Sequence, residues 1–282
     1  MTDDTRWYLL FASRQEKNLV DAFNLLRSAG IEPILVKGWA SARNYPETRN
    51  RYYTDIDLAV SGEQYDAAAA GIAESGHRLG IDLHRELRQL DTTPWEQLFV
   101  RSVCLNINGT PVRILCPEDH LRVICTHWLV EGGINKERLW DIYYAVESRP
   151  NDFDWERCLN AAGPIRRGWT VTAIGLAHQY LGLRIDDTPI RDEALKIPAW
   201  VIRTVEKEWS LNLPLIPLTS CLSDPKMLLR QLRKRIPPNP IQATVEMEGR
   251  FDDGARLKTQ MSNVFQRIGP LFQRLFRLTM SK

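Results

Sequence analysis

Apolar residues in the first half of the chain switch repeatedly between two periods. In QEKNLVDAFNLLRSA, residues 15–29, they recur at helical spacing, with Gly30 as the stop. IEPILVKG reads as a buried strand that ends at Gly38. A polar loop with Pro46 and several arginines follows. YYTDIDLAV, residues 52–60, reads as a strand with Ser61-Gly62 as its exit turn. EQYDAAAAGIAES predicts an alanine-rich helix over 63–75, and GHRLGIDLHREL contains another strand. SVCLNINGTPVRIL predicts a hairpin turning at Asn108-Gly109. From Pro117 onward the helical period dominates. PEDHLRVICTHWLV opens with a proline and two acids, and RLWDIYYAVES continues the pattern. Further helices are predicted around 155–162, 166–183 and 197–208, while LNLPLIPL and IPPNPIQ predict irregular segments. The fold class is therefore α+β: a small mixed or antiparallel sheet flanked by helices, then a mainly helical C-terminal half. SRPNDFD marks a boundary near 148–154, giving domains 1–150 and 151–282.

Composition narrows the function classes. The chain has 282 residues and a net charge of only +2, which does not suit a nucleic-acid coat or a membrane-surface protein. No segment reaches the roughly 18 consecutive apolar residues of a membrane span. MTDDTRWYLLF has no basic region ahead of a long apolar run, which argues against a secretory signal. Five scattered cysteines without a CxxC pair predict reduced thiols in a cytoplasm. The last segment, RLKTQMSNVFQRIGPLFQRLFRLTMSK, is basic and apolar at helical spacing, with Gly269-Pro270 as an interruption. Docking on the protein's own core is its favoured fate, with contact to a partner or membrane surface as the alternative.

The chemistry lies in YYTDIDLAV. Side chains two apart on a strand share a face, so Asp55 and Asp57 project together while Ile56 and Leu58 point the other way. Paired carboxylates repel unless a cation lies between them, and Mg²⁺ takes such oxygen ligands together with substrate phosphates. The alternative is an exposed edge with two capping or salt-bridged aspartates. Asp82, His84 and Glu86 share one face of the next strand. A glycine turn at Gly38 lets backbone approach a triphosphate with no Cβ in the way.

LVKGWA, R-x-Y-Y-x-DIDLAV, IDLH, CPEDHLRVICTHWL and RLWDIYYA together resemble the bacterial uncharacterised nucleotidyltransferase family, part of the polymerase-β-like superfamily. The resemblance spans about residues 20 to 147. It implies a Mg²⁺-dependent enzyme that uses two ions to move a nucleoside monophosphate from an NTP to an acceptor. Asp55 and Asp57 match the metal-binding pair, and Asp82 matches the third acid, which positions the acceptor hydroxyl. Glu86 is the same-face alternative to Asp82. Gly38 matches the phosphate-binding turn, and Lys37, in the K-G form, stands ready to neutralise phosphate charge or to serve as a surface lysine. Trp39 departs from the small residue that usually follows the glycine, which leaves Ser41 as a substitute contact.

Around this core stand secondary candidates. Arg43, Arg49 and Arg51 precede the DxD strand, and the resemblance favours Arg49 or Arg51 as a triphosphate or strand-orienting contact. His84 matches a recurrent family histidine that orients Asp82 or touches nucleotide. His120 and His127 are seven apart on one predicted helix without HExxH, which excludes a zinc protease, and His127 is expected to pack against the catalytic sheet. Asp141 is expected to form a buried salt bridge. The nine tryptophans do not interleave with basic clusters, so they read as core and groove lining. The acceptor remains open among small molecules, peptides and proteins, all favoured over RNA. Rival readings are an inactive nucleotide- or peptide-binding module, a metal-dependent hydrolase, and a tRNA-modifying toxin-like transferase.

Overall fold

The computed structural model describes residues 3–267 except 47–48, 76–78, 212, 214–215, 222 and 255. The chain forms two compact units, residues 1–124 with 141–162, and residues 125–140 with 163–282. The single division expected at residue 150 and this interleaved one differ in where residues 125–140 and 151–162 belong.

The first unit is built on a five-stranded mixed sheet. Its strands are β1 (Ile34–Leu35), β2 (Ile56–Val60), β3 (Ile81–Arg85), β4 (Val103–Ile107) and β5 (Thr110–Ile114). They lie in the order β3-β2-β1-β5-β4. β1 pairs antiparallel with β2 and parallel with β5, β2 pairs parallel with β3, and β4 and β5 form the predicted hairpin. Its two turn residues, Asn108 and Gly109, take φ of 50° and 86°, as the tight turn demands.

Alternation along the strands splits the sheet's two faces. Leu35, Ile56, Leu58, Val60, Val112 and Ile114 enter a core with Leu19, Phe23 and Leu26 of helix α1 (Asp3–Ser28). Ile34, Val36, Ala59 and Leu115 face the other way, onto Leu87, Leu90, Leu98 and Val123. Helix α1 starts twelve residues before the expected position. It stops where expected, with Ile31 N donating to Leu26 O across Gly30, whose φ is 73°. The unit also holds α2 (Trp39–Ala42), α3 (Tyr65–Glu74), α4 (Trp95–Arg101), the first part of α5 (Pro117–Val130), most of α6 (Leu139–Glu147) and α7 (Trp155–Asn160).

The second unit is helical, with α8 (Gly163–Leu181), α9 (Arg191–Ala194), α10 (Ala199–Leu211), α11 (Pro225–Arg235) and α12 (Pro240–Glu246), and a further helix over 256–267. Helix α8 is buried without a break from Trp169 to Ala177, so it forms the centre of the unit. The buried indoles meet their polar requirement on backbone carbonyls: Trp169 donates to Gly249 O and Trp200 to Phe251 O, both at 2.9 Å. IPPNPIQ, expected to be irregular, instead opens α12. Asn239 caps it by accepting from Ile241 N and Gln242 N, and Pro240 takes the first turn, where a missing N–H costs nothing. On the helix over 256–267, Asn263 is buried and donates to Glu246 at 2.7 Å, whereas Phe265 is exposed. This part of the basic tail docks on its own unit through polar groups. Ile268, Leu271, Phe272, Leu275 and Phe276 lie outside the described residues. No described helix is long and apolar enough to cross a membrane.

Candidate active site

Asp57 sits on β2 between Ile56 and Leu58, both in the core, so alternation turns its carboxylate to the opposite face. Because β2 and β3 are parallel, Asp57 is paired directly with Asp82, and Ala59 with His84. One ligand atom each from Asp57, Asp82 and His84 lie within 4.8 Å of one another. His84 Nε2 is 3.2 Å from Asp57 Oδ1 and 3.6 Å from Asp82 Oδ2. Lys37, at the end of the β1 segment, places Nζ 2.9 Å from the same Asp57 Oδ1.

These contacts set the charge of the site. Asp57 is only 8% exposed, and burial alone would raise its pKa. The hydrogen bond from His84 and the charge of Lys37 outweigh that effect and hold the carboxyl below its usual range. Asp57 is thus an anion held by the Lys37 ammonium and by its hydrogen bond with His84, while Asp82 opens to solvent with 61% of its side chain exposed.

The other predicted residues are arranged around this group. Asp55 immediately precedes β2. It is exposed, accepts from Thr54 Oγ1 at 2.9 Å, and stands outside the Asp57–Asp82–His84 cluster. Gly38 takes φ of 65°, and a Cβ there would stand 3.2 Å from Asp55 O and 3.3 Å from the Tyr53 ring. Glycine therefore lets the Lys37-Gly38 turn pass close to the backbone of the DxD segment. Glu86 accepts from Gly62 N at 3.1 Å and does not join the cluster.

Arg51 is committed elsewhere. Its guanidinium makes a two-pronged contact to Asp141 at 2.7 and 2.8 Å, and both side chains are buried. Tyr45 donates to the same carboxylate at 2.6 Å, and its phenol is pushed up by burial and by Asp141. This arrangement ties the loop before β2 to α6 and gives Asp141 the expected buried salt bridge. Arg49 is half-buried and Arg43 exposed.

His127 meets Glu131 one turn on at 3.2 Å. His120, seven residues earlier on the same helix, belongs to the first unit. Buried, it lies 3.2 Å from Ser41 Oγ on α2, and burial pushes its pKa down to about 4. Ser41, 1% exposed, is therefore a partner of His120. The Lys37–Asp57, Arg51–Asp141 and Ser41–His120 pairs were each absent from the sequence reading as pairs, although every one of these residues attracted notice singly.

Two carboxylates and an imidazole thus meet on adjacent parallel strands of an α+β domain, with a lysine and a tight glycine turn beside them. Residues 1–81 match the family model described as an uncharacterised nucleotidyltransferase. The resemblance first carried by LVKGWA and DIDLAV is thereby borne out over that segment, and it supports nucleotidyl transfer as the general chemistry. The matched segment ends one residue short of Asp82. The chain matches no curated protein and no solved structure.

Proposed function

We propose that the first unit transfers a nucleoside monophosphate from an NTP to an acceptor hydroxyl or phosphate and releases pyrophosphate. The observation that carries this reading is the direct pairing of Asp57 with Asp82 beside the Lys37-Gly38 turn, within a chain whose first 81 residues match a nucleotidyltransferase family. Asp57 and Asp82 offer the oxygen donors that suit Mg²⁺, with Asp55 at the rim and two ions as the working number. His84 adds a nitrogen donor, which also suits Mn²⁺. Bound Mg²⁺ supplies charge neutralisation on the phosphates and a more acidic acceptor hydroxyl.

The chain's own groups do the rest. The Gly38 turn and Arg49 receive the triphosphate, and Lys37 shifts its ammonium from Asp57 toward phosphate oxygens. Arg51 holds the loop in place through Asp141. Asp82, the exposed carboxylate, takes the proton of the acceptor hydroxyl. The acceptor oxygen then bonds to the α-phosphorus as the bond from that phosphorus to the oxygen bridging to the β-phosphate breaks, and pyrophosphate leaves with the electron pair. Five free cysteines suit a reducing cytoplasm. Small molecules, peptides and proteins remain the favoured acceptors over RNA.

The test is incubation with each labelled NTP, Mg²⁺ and a cell extract. Transfer of label with stoichiometric pyrophosphate supports the reading, and release of inorganic phosphate or free monophosphate in its place assigns a hydrolase. A second reading rests on one observation: Lys37 already neutralises Asp57, and Asp55 stands apart from the cluster. An inactive nucleotide-binding module fits that state, and nucleotide binding without any pyrophosphate release would select it.

A further inference from the structure

The second unit holds a cleft of about 570 Å³ that the carboxylate site does not explain. That volume lies in the roughly 300–1,000 Å³ range of small-molecule sites. Arg230, Arg233 and Lys234 line it from α11 at spacings of three and four, hence from one helix face, and Lys207 joins them from α10. Lys234 is spoken for: it pairs with Glu208 at 3.2 Å, with both side chains largely buried. Lys207, Arg230 and Arg233 form no ion pair among the described residues. Four cations against one carboxylate thus face a single cleft in a chain whose whole net charge is +2.

The remaining wall describes the rest of the ligand. Pro237 and Pro238 supply rigid apolar surface for a carbon skeleton. Glu208 is held in place by Lys234 and by Asn239, whose amide donates to Oε1 at 3.4 Å, so its charge is met within the wall and Lys207, Arg230 and Arg233 are left for a ligand. The helix carrying the arginines is firmly set. Asp224 caps it by accepting from Lys226 N and Met227 N, and Gln231, fully buried, accepts from Ile216 N.

We propose that this cleft binds an organic phosphate of metabolite size. Arginine matches phosphate oxygens with a planar fork of donors, and two on one helix face grip one dianion. The inference stands on the second unit alone and does not depend on the carboxylate site.

The test is calorimetric titration of the full chain with ribose 5-phosphate, inorganic phosphate and ribose. Ribose 5-phosphate is expected to bind at least about tenfold more tightly than inorganic phosphate, and ribose not at all. The double variant R230Q/R233Q is expected to lose roughly tenfold or more in affinity with its melting temperature kept, and D57N to bind as the parent does. Equal binding of ribose 5-phosphate and inorganic phosphate would overturn the proposal. So would retained affinity in R230Q/R233Q, or loss of binding in D57N, which would place the ligand on the first unit. Displacement of ribose 5-phosphate by an acidic peptide or an oligonucleotide at lower concentration would assign the cleft to a macromolecule and also overturn it.

Discussion

Asp57 and Asp82, twenty-five positions apart, are register partners on neighbouring parallel strands, and His84 reaches from one to the other. The pair is asymmetric. Asp57 is buried and held as an anion by Lys37 and His84, while Asp82 is open to solvent. One carboxylate is thereby fixed in place and the other left accessible, which suits a ligand and a proton acceptor respectively.

This asymmetry ranks the carboxylates. Asp57→Asn is expected to lower NTP turnover on the order of 100-fold or more, while the circular dichroism spectrum stays that of the parent. Asp55→Asn, outside the cluster, is expected to cost less. Equal rates for Asp57→Asn and the parent in a pyrophosphate-release assay would remove Asp57 from the mechanism.

If the site holds a metal as proposed, the imidazole sets a preference among metals. His84→Ala is expected to weaken Mn²⁺ binding by roughly 10–100-fold and Mg²⁺ binding less, because nitrogen donors favour the transition metal. Electron paramagnetic resonance of Mn²⁺ titrated into the two proteins reads this directly, and unchanged Mn²⁺ affinity would exclude His84 as a ligand.

Arg51 and Asp141 are buried together, so removing either leaves a charge without a partner. Asp141→Asn is expected to destabilise the protein by about 3–5 kcal/mol in urea unfolding. Arg51→Lys is expected to lose much of the same amount, since an ammonium cannot reproduce the fork. A loss under about 1 kcal/mol in both would show the pair to be solvated.

His120 makes stability depend on acid. Its folded pKa of about 4 lies below the unfolded value of 6.5, so between these values the unfolded chain binds the extra proton. Stability is then lost as pH falls below about 6.5, reaching roughly 3 kcal/mol from this group by pH 4. Thermal melts of the parent and His120→Gln at pH 7 and pH 5 check it: the variant is expected to show a shallower loss.

Gly38→Ala is expected to cost about 1–2 kcal/mol, from the positive φ alone. It also presses a methyl group against Asp55 O. NTP affinity is therefore expected to fall by more than stability does, and a variant with parental NTP affinity would detach this turn from the nucleotide.

How much of this was legible in the sequence depends on range. Period-two alternation exposed β2 and β3, and Asn108-Gly109 exposed the hairpin, because these signals lie within a few residues. Helix α5 was readable at both ends, from Pro117 to Val130. The start of α1 was not, since an arginine and exposed apolar residues near Trp7 blur its period. IPPNPIQ misled because three prolines suggest irregular chain, whereas Asn239 and Pro240 form a helix start. The side-chain pairs were beyond reach: Arg51 and Asp141 are 90 positions apart, and no local pattern announces such a partnership. Asp55 and Asp57 look equivalent in DID, yet the strand begins between them and treats them differently.

The Arg51–Asp141 bridge bears on how the protein is born. As the chain leaves the ribosome, the DxD segment and its partner strand emerge first, and Arg51 must wait for some ninety further residues before its counter-charge exists. During that interval the arginine stays in water, and the loop it governs has no fixed seat. The loop before β2 is therefore made early and seated late, once α6 brings Asp141 to Arg51.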